Sequence, residues 1–339
     1  MTQYGIYTLA NDTVYDQLVA LLNSIEKNVG TEFPICVIPY NEALDKVNVE
    51  LKSRPNVSLF DDFSVLKQWD DFTNEVWAAH PRANSPKHSW PSWYKGYIHR
   101  KFASFEGEFE RFVFFDADSL AMKPIHDIFE KLDTVDLVFN DWEHVKREDI
   151  PEVAVEKLAA KLNLTVDEVY PQLHCDSFFG SKRGLFNAET LGRLKDFLID
   201  EDGVQCVRDR CWWSTSALFS VMTIQEEMSL FNFTQSPIGE ERTGNCADAD
   251  PFVDIDGVLY NEQGLKPIHR IHYMNYPSVG FARLCKGENV DIRYADSFLN
   301  YRFLKEPEKR PKKLVEPSLP IKIARRIDKG NRKLKKLLS

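Results

Sequence analysis

The first 60 residues alternate apolar and polar stretches in the order of a parallel α/β unit. Residues 4–9 (YGIYTL) read as a strand, and Asn11-Asp12-Thr13 as the turn or helix cap behind it. Val14, Leu18, Leu21, Leu22 and Ile25 recur near helical spacing and predict a helix over 14–28. Residues 34–39 (PICVIP) form a second short apolar run ending at Tyr40-Asn41, and 57–60 a third, ending in Asp61-Asp62. Strand, helix, strand in this order predicts a parallel sheet with right-handed crossovers.

Further along, residues 63–94 are Trp-rich and carry Pro81, Pro86 and Pro91, which predicts a long loop or a partly helical excursion. A helix is expected over 94–106, feeding a strand at 112–115. Other strands are expected at 136–140 and 175–180, and helices at 153–162, 189–198 and 213–230. The helix at 153–162 lies in an apparent insertion, 143–171, and residues 232–275 read as turns and short strands. From Glu306 the chain turns Pro/Lys-rich. The predicted fold is α/β: a mixed, mostly parallel sheet flanked by helices, in one large domain over 1–300, followed by a basic linker and tail over 301–339.

The strongest chemical signal is Phe112-Val113-Phe114-Phe115 running into Asp116-Ala117-Asp118. The apolar run suits a buried parallel strand, and ligands in open α/β sheets sit beyond the carboxyl ends of strands. Two carboxylates placed there suit a hard divalent cation, which in turn can hold a nucleotide's phosphates.

The stretch FFDADSLAMKPI resembles the metal-binding motif of GT-A fold glycosyltransferases, family 8 in particular, the glycogenin and galactosyltransferase group. Four further stretches follow in that family's order. Arg100 and Lys101 stand 16 and 15 residues before Asp116, where the family has a basic residue that contacts the sugar or diphosphate and the first carboxylate. His174-Cys175-Asp176-Ser177-Phe178-Phe179-Gly180 is similar to its FNSG strand, with Asp176 in place of Asn. Gln225 to Leu230 is similar to its DQxxLN, with Glu226 and Glu227 in place of Asp-Gln. Residues 268–277 are similar to its late HxxGxxKP, without the Gly and Lys, and offer His272 or His269 as a metal ligand. Three residues apart on a strand, those two histidines face opposite ways.

The resemblance implies a Rossmann-like GT-A fold, with a nucleotide-binding half over about 1–140 and an acceptor half over about 141–300. It implies a sugar transferase using a nucleoside-diphosphate sugar, a UDP-sugar by preference, with Mn²⁺ or Mg²⁺ held by Asp116, Asp118 and His272. The donor would lie along Thr8, Leu9, Ala10, Tyr40, Asn41, Arg100, Lys101, Asp116, Ala117 and Asp118. Asp176, Glu226 and Glu227 would act at the sugar, with retention of configuration. Inversion, with Glu226 or Glu227 as general base, stays open. The acceptor would be a glycan or a lipid-linked sugar. The four tryptophans Trp69, Trp77, Trp90 and Trp93 are either a platform for it or buried core.

Three other readings compete. A haloacid-dehalogenase-like phosphatase would use Asp116 as nucleophile after an apolar strand. That strand normally comes first in the chain, and no later Asp-Asp pair appears where such enzymes place one. A sugar-phosphate nucleotidyltransferase would open with a Gly-rich basic loop, and residues 9–13 hold neither glycine nor base. A non-catalytic sugar-nucleotide binding protein on the same scaffold is opposed by the intact acid pair.

Charge and cysteine usage add location. The chain's net charge of −9 divides into +9 over residues 305–339 (13 Lys/Arg against four acids) and −18 elsewhere. An acidic body excludes non-specific nucleic-acid binding. No stretch approaches the roughly 20 apolar residues of a membrane helix, and the opening residues read as a strand and not as a leader. Six scattered cysteines without CxxC read as free thiols, and a cytoplasmic location is expected. Residues 321–338 space Ile and Leu among Lys and Arg, which suits a peripheral helix on an anionic membrane surface, at the inner face. Gly330 and Asn331 weaken that helix, and a solvated basic tail is the competing reading.

Overall fold

The computed structural model describes residues 2–80, 83, 96–146, 152–208, 214–321 and 325. Eleven strands run in chain order: β1 (Thr2–Ala10), β2 (Ile35–Pro39), β3 (Val57–Leu59), β4 (Phe109–Asp116), β5 (Ser119–Ala121), β6 (Leu137–Phe139), β7 (Phe178–Lys182), β8 (Leu230–Asn232), β9 (Val253–Ile255), β10 (Val258–Tyr260) and β11 (Arg270–His272). The helices are α1 (Tyr15–Asn28), α2 (Asp45–Lys52), α3 (Phe63–Ala79), α4 (His126–Lys131), α5 (Val155–Leu162), α6 (Val166–Val169), α7 (Ala188–Ile199), α8 (Thr215–Gln225), α9 (Ser278–Leu284) and α10 (Ala295–Arg302).

Seven strands form the main sheet in the order β3-β2-β1-β4-β7-β6-β8. All are parallel except β7, which runs against both β4 and β6. The chain winds from β1 outward to β3, then returns to place β4 on the other side of β1. That reversal opens a crevice between the carboxyl ends of β1 and β4. Because β7 runs backwards, its first residues share this edge with the last residues of β4 and β6. A separate two-stranded ladder joins β5 to β11, bringing residue 272 opposite residue 119.

Alternation along the strands sorts side chains to two cores. Tyr7, Leu9, Ile38, Phe112 and Phe114 pack on one face with α3, α7 and α8. Ile6, Ala10, Val37, Val113 and Phe115 pack on the other with α1 and α4. A third apolar cluster, around Tyr273, Phe281, Phe298 and Tyr301, ties α9 and α10 to the β5–β11 ladder.

Three element expectations are settled by the structure. Of the two readings of residues 63–94, the helical one holds for Phe63–Ala79, the helix α3, capped by Asp62, whose side chain accepts from Ser64 N and Val65 N. Leu66, Trp69, Phe72, Val76 and Trp77 fall on its buried side at helical spacing, and the prolines begin only after it ends. Trp69 and Trp77 are core residues and no acceptor platform; Trp90 and Trp93 lie outside the described residues. The helix expected over 213–230 spans only Thr215–Gln225, and its last expected residue, Leu230, opens β8 instead. The segment before β4 is a 3₁₀ stretch, Ile98–Glu106, in place of an α-helix over 94–106. All five described cysteines are free. Of the basic tail, only Arg325 is described beyond Ile321; it pairs with Glu288.

Trp69 is wholly buried between Phe72, Phe102 and Phe186. Replacing it with alanine removes a large apolar side chain that its neighbours cannot fill, so Trp69→Ala should cost about 3–5 kcal/mol in urea unfolding. A loss below 1 kcal/mol would contradict its place in the core.

Candidate active site

Asp116 is the last residue of β4, and its backbone N–H donates to Ser177 O at 2.9 Å. Asp118 follows one residue later, and its carbonyl accepts from Tyr273 N at 2.9 Å. The β5–β11 register then sets His272 opposite Ser119. His272 Nε2 lies 3.3 Å from Asp118 Oδ1 and 4.0 Å from Asp116 Oδ2. One ligand atom from each of Asp116, Asp118 and His272 falls within a 4.8 Å span. His269 faces the other way, as expected, and pairs with Asp127 of α4 at 2.9 Å. Two carboxylates and an imidazole are a donor set that suits Mn²⁺ or Mg²⁺.

A cleft of about 570 Å³ opens beside this trio, between the ends of β1, β2 and β4 and the start of α9. Leu9 and Ala10 form one wall, Tyr40 and Asn41 another, and Asp116, Ala117 and Asp118 the rim. Backbone and side-chain bonds fix this geometry: Tyr40 N donates to Ala10 O at 2.9 Å, and Asn11 Nδ2 to Asn41 Oδ1 at 3.2 Å.

Comparison with known proteins agrees with this layout. Residues 3–137 match the model of a mannosyltransferase family. The bifunctional glycosyltransferase WbbM, in its apo form, superposes on 91% of this chain at a TM-score of 0.53 and 15% identity. The chain spans 52% of WbbM's length. The galactosyltransferase LgtC, solved with donor and acceptor sugar analogues, superposes on 88% of this chain and 95% of its own, at 0.52 and 12% identity. No curated protein matches by sequence. The chain has the fold of GT-A glycosyltransferases.

At this sheet edge the carboxylates are organised by a buried cation. Lys101 Nζ, with no solvent exposure, lies 3.0 Å from Asp116 Oδ1 and 3.1 Å from Asp176 Oδ2. Burial acts to lower its pKa, but the two carboxylates outweigh it and raise it. Asp176 also accepts from Ser216 Oγ at 2.7 Å. Burial pushes Asp176 up, while Lys101 and the Thr215 and Ser216 hydroxyls hold it low. Burial, joined by repulsion from Asp118 and Asp176, pushes Asp116 to about 6 against Lys101 and His272. For Asp118 burial is outweighed by His272, with help from Arg270 and Lys101, and its pKa falls.

The structure places four expected site residues away from the trio. Thr8 is wholly buried on the α1 face of β1 and is not on the cleft wall. Arg100 is taken up by Asp70 of α3, with contacts at 2.6–3.2 Å, and lies over the Tyr97 ring; of the two basic candidates, only Lys101 reaches Asp116. Glu226 and Glu227 are at the wrong end of their helix. The amino end of α8 meets Asp176 through Ser216, and a helix rises 1.5 Å per residue, so they stand about 15 Å away. Glu226 instead pairs with Arg193 at 2.7 Å.

Two buried charged residues were missed. Asp141 follows β6 as Asp116 ends β4, and that repeated strand-then-acid signal could have found it. Its carboxylate accepts from Glu143 N at 3.0 Å and Cys175 N at 3.1 Å. Burial pushes it up to about 7 despite these bonds. The other, Arg270, stands two residues before His272 on the same face of β11.

Asp141 gives a pH test. Its folded pKa lies above the unfolded carboxylate value, so the folded protein holds a proton between about pH 4 and 7 that the unfolded chain has lost. Stability contributed by the neutral form therefore disappears as pH rises through 7. Wild-type melting temperature should fall between pH 5 and pH 8 by several degrees more than that of Asp141→Asn. Parallel curves for the two proteins would contradict this assignment.

Proposed function

We propose that the chain is a metal-dependent glycosyltransferase that moves a hexosyl group from a nucleoside-diphosphate sugar to a hydroxyl of a glycan or lipid-linked acceptor. The observation that carries this reading is the Asp116–Asp118–His272 trio at the mouth of the β1/β4 cleft. The nucleotide lies in the cleft, its base against Tyr40 and Asn41, in the half of the chain up to about residue 140. The acceptor is received by the half over about 141–300.

Departure of the diphosphate is the hard step, because negative charge grows on the leaving oxygens. A divalent cation held by Asp116, Asp118 and His272 supplies charge neutralisation there when bound. Asp116 and Asp118 must be ionised to serve, and Lys101 keeps Asp116 oriented while offsetting the cluster's negative charge. Asp176 holds Lys101 from the other side. The order of motifs favours family 8, and with it retention at the anomeric carbon. The mannosyltransferase description of the matched family adds mannose to the donor sugars to be tested.

The basic tail supports a peripheral site of action at the inner, cytoplasmic face of a membrane. Among the described residues no helix is long and apolar enough to cross one. Residues 305–339 carry +9, and each basic side chain near an anionic surface contributes about 1 kcal/mol. Vesicles containing phosphatidylglycerol should float with the full chain and not with a chain lacking residues 322–339. Equal flotation would exclude the membrane role.

A thermal-shift series with UDP, GDP and their hexose conjugates tests the reading directly, since a ligand bound only by the folded state raises the melting temperature. At least one nucleotide should stabilise wild type in Mn²⁺ and fail to do so in EDTA. Asp118→Ala should lose that response and lower sugar transfer by about a hundredfold or more. Transfer by Asp118→Ala at the wild-type rate would refute the assignment.

A further inference from the structure

The nucleotide cleft occupies one side of the Asp116–Asp118–His272 trio. Next to the trio lies a buried polar cluster whose Arg270 and Asn140 no step above uses. It is built from the end of β6 (Asn140, Asp141), the residues leading into β7 (Cys175 to Ser177) and Arg270 of β11.

Arg270 is only 1% exposed. Its Nη2 donates to Ser177 Oγ at 2.9 Å, and its guanidinium lies 5.1 Å from the Phe178 ring centre. Nε and Nη1 are buried and have no hydrogen-bond partner. Asp116 and Asp141 both act on its charge, so it stands among carboxylates without spending these donors on them. Asn140 repeats the pattern: its Nδ2 is buried and without a partner. The segment Asn245-Cys246 lies beside both residues. Asn245 Nδ2 donates to Asn140 O at 2.7 Å, Asn245 O accepts from His272 N at 2.7 Å, and Cys246 feels the Arg270 charge.

Buried donors without partners are costly, and native proteins rarely leave several together. A guanidinium is a fixed fork of five donors, suited to paired oxygen atoms. Beside them, Asp141 offers a carboxyl group whose oxygens already accept two backbone N–H groups and can accept more. Donors and an acceptor set together are what a polyhydroxylated ring requires, since each hydroxyl both gives and takes a hydrogen bond.

We propose that Arg270 and Asn140 form the subsite for the hydroxyl groups of the transferred sugar, and that Arg270 determines which sugar is accepted. This rests on the nucleotide-sugar reading above. A donor laid across the trio has its nucleotide in the cleft and its diphosphate at Asp116 and Asp118. Its sugar then falls over Arg270 and Asn140, whose free N–H groups meet ring hydroxyls. Bare nucleoside diphosphates do not reach this cluster.

Titration calorimetry in Mn²⁺ on wild type, Arg270→Gln and Arg270→Lys tests the assignment. The probes are UDP, GDP, UDP-glucose, UDP-galactose and GDP-mannose. Arg270→Gln should weaken the sugar nucleotide that binds wild type by tenfold or more, while the matching bare diphosphate changes less than twofold. Arg270→Lys, which keeps the charge but loses the fork, should fall between. Circular dichroism and melting curves confirm that each variant is folded, and Arg270→Lys carries the comparison if Arg270→Gln does not fold. Equal losses for diphosphate and sugar nucleotide, or no loss for either, would overturn the proposal. Wild type binding none of the five would instead overturn the nucleotide-sugar reading beneath it.

Discussion

The upper edge of this sheet is governed by the difficulty of keeping several carboxylates together where water is scarce. Asp116, Asp118, Asp141 and Asp176 all gather at the ends of β4, β6 and β7. Removing such charges from water costs several kcal/mol each unless a partner compensates. Lys101 is that partner for two of them: it reaches Asp116 and Asp176 at about equal distance from a position without solvent exposure. The consequences spread outward. Asp176 draws the amino end of α8 through Ser216, and His272 leans on Asp118 from the far end of the chain. On the proposed function, an incoming divalent cation meets a site already held in shape, and little reorganisation is left for the moment of binding.

The reversed strand β7 makes this gathering possible. Were it parallel to its neighbours, Asp176 would sit at the opposite edge, a full strand length from Lys101. The β5–β11 ladder does a comparable service, since it is the register of three residues against three that aims His272 at the acid pair. A one-residue slip would present Ile271 in its place. Topology and register thus assemble a site whose parts are more than 150 residues apart.

Much of this was legible in the sequence where a residue's neighbours in the chain decide its fate. The apolar run 112–115 ending in Asp-Ala-Asp gave both strand and acids, because strand and ligand edge are local facts. His272 was legible as the later of two histidines on opposite faces. Glu226 and Glu227 were not, because a linear motif does not say which end of α8 faces the site. Arg100 and Lys101 are adjacent in sequence, and only tertiary packing sends one to Asp70 and the other to Asp116. The helix α3 was hidden by its tryptophans and by the prolines just beyond it, although Asp62 and the spacing of Leu66, Trp69, Phe72 and Val76 carried the helical signal. Arg270 stands in a run of apolar and basic residues, where burial of a charge has no local mark.

The proposed chemistry depends on a cation at Asp116, Asp118 and His272. A crystal soaked with Mn²⁺ and a nucleoside diphosphate, measured at the manganese absorption edge, gives the most direct test. The anomalous difference map should show one strong peak within about 2.0–2.3 Å of Asp116, Asp118 and His272 atoms, with phosphate oxygens on its open side. A map without a peak there, or with the metal held elsewhere in the cleft, would contradict the central claim.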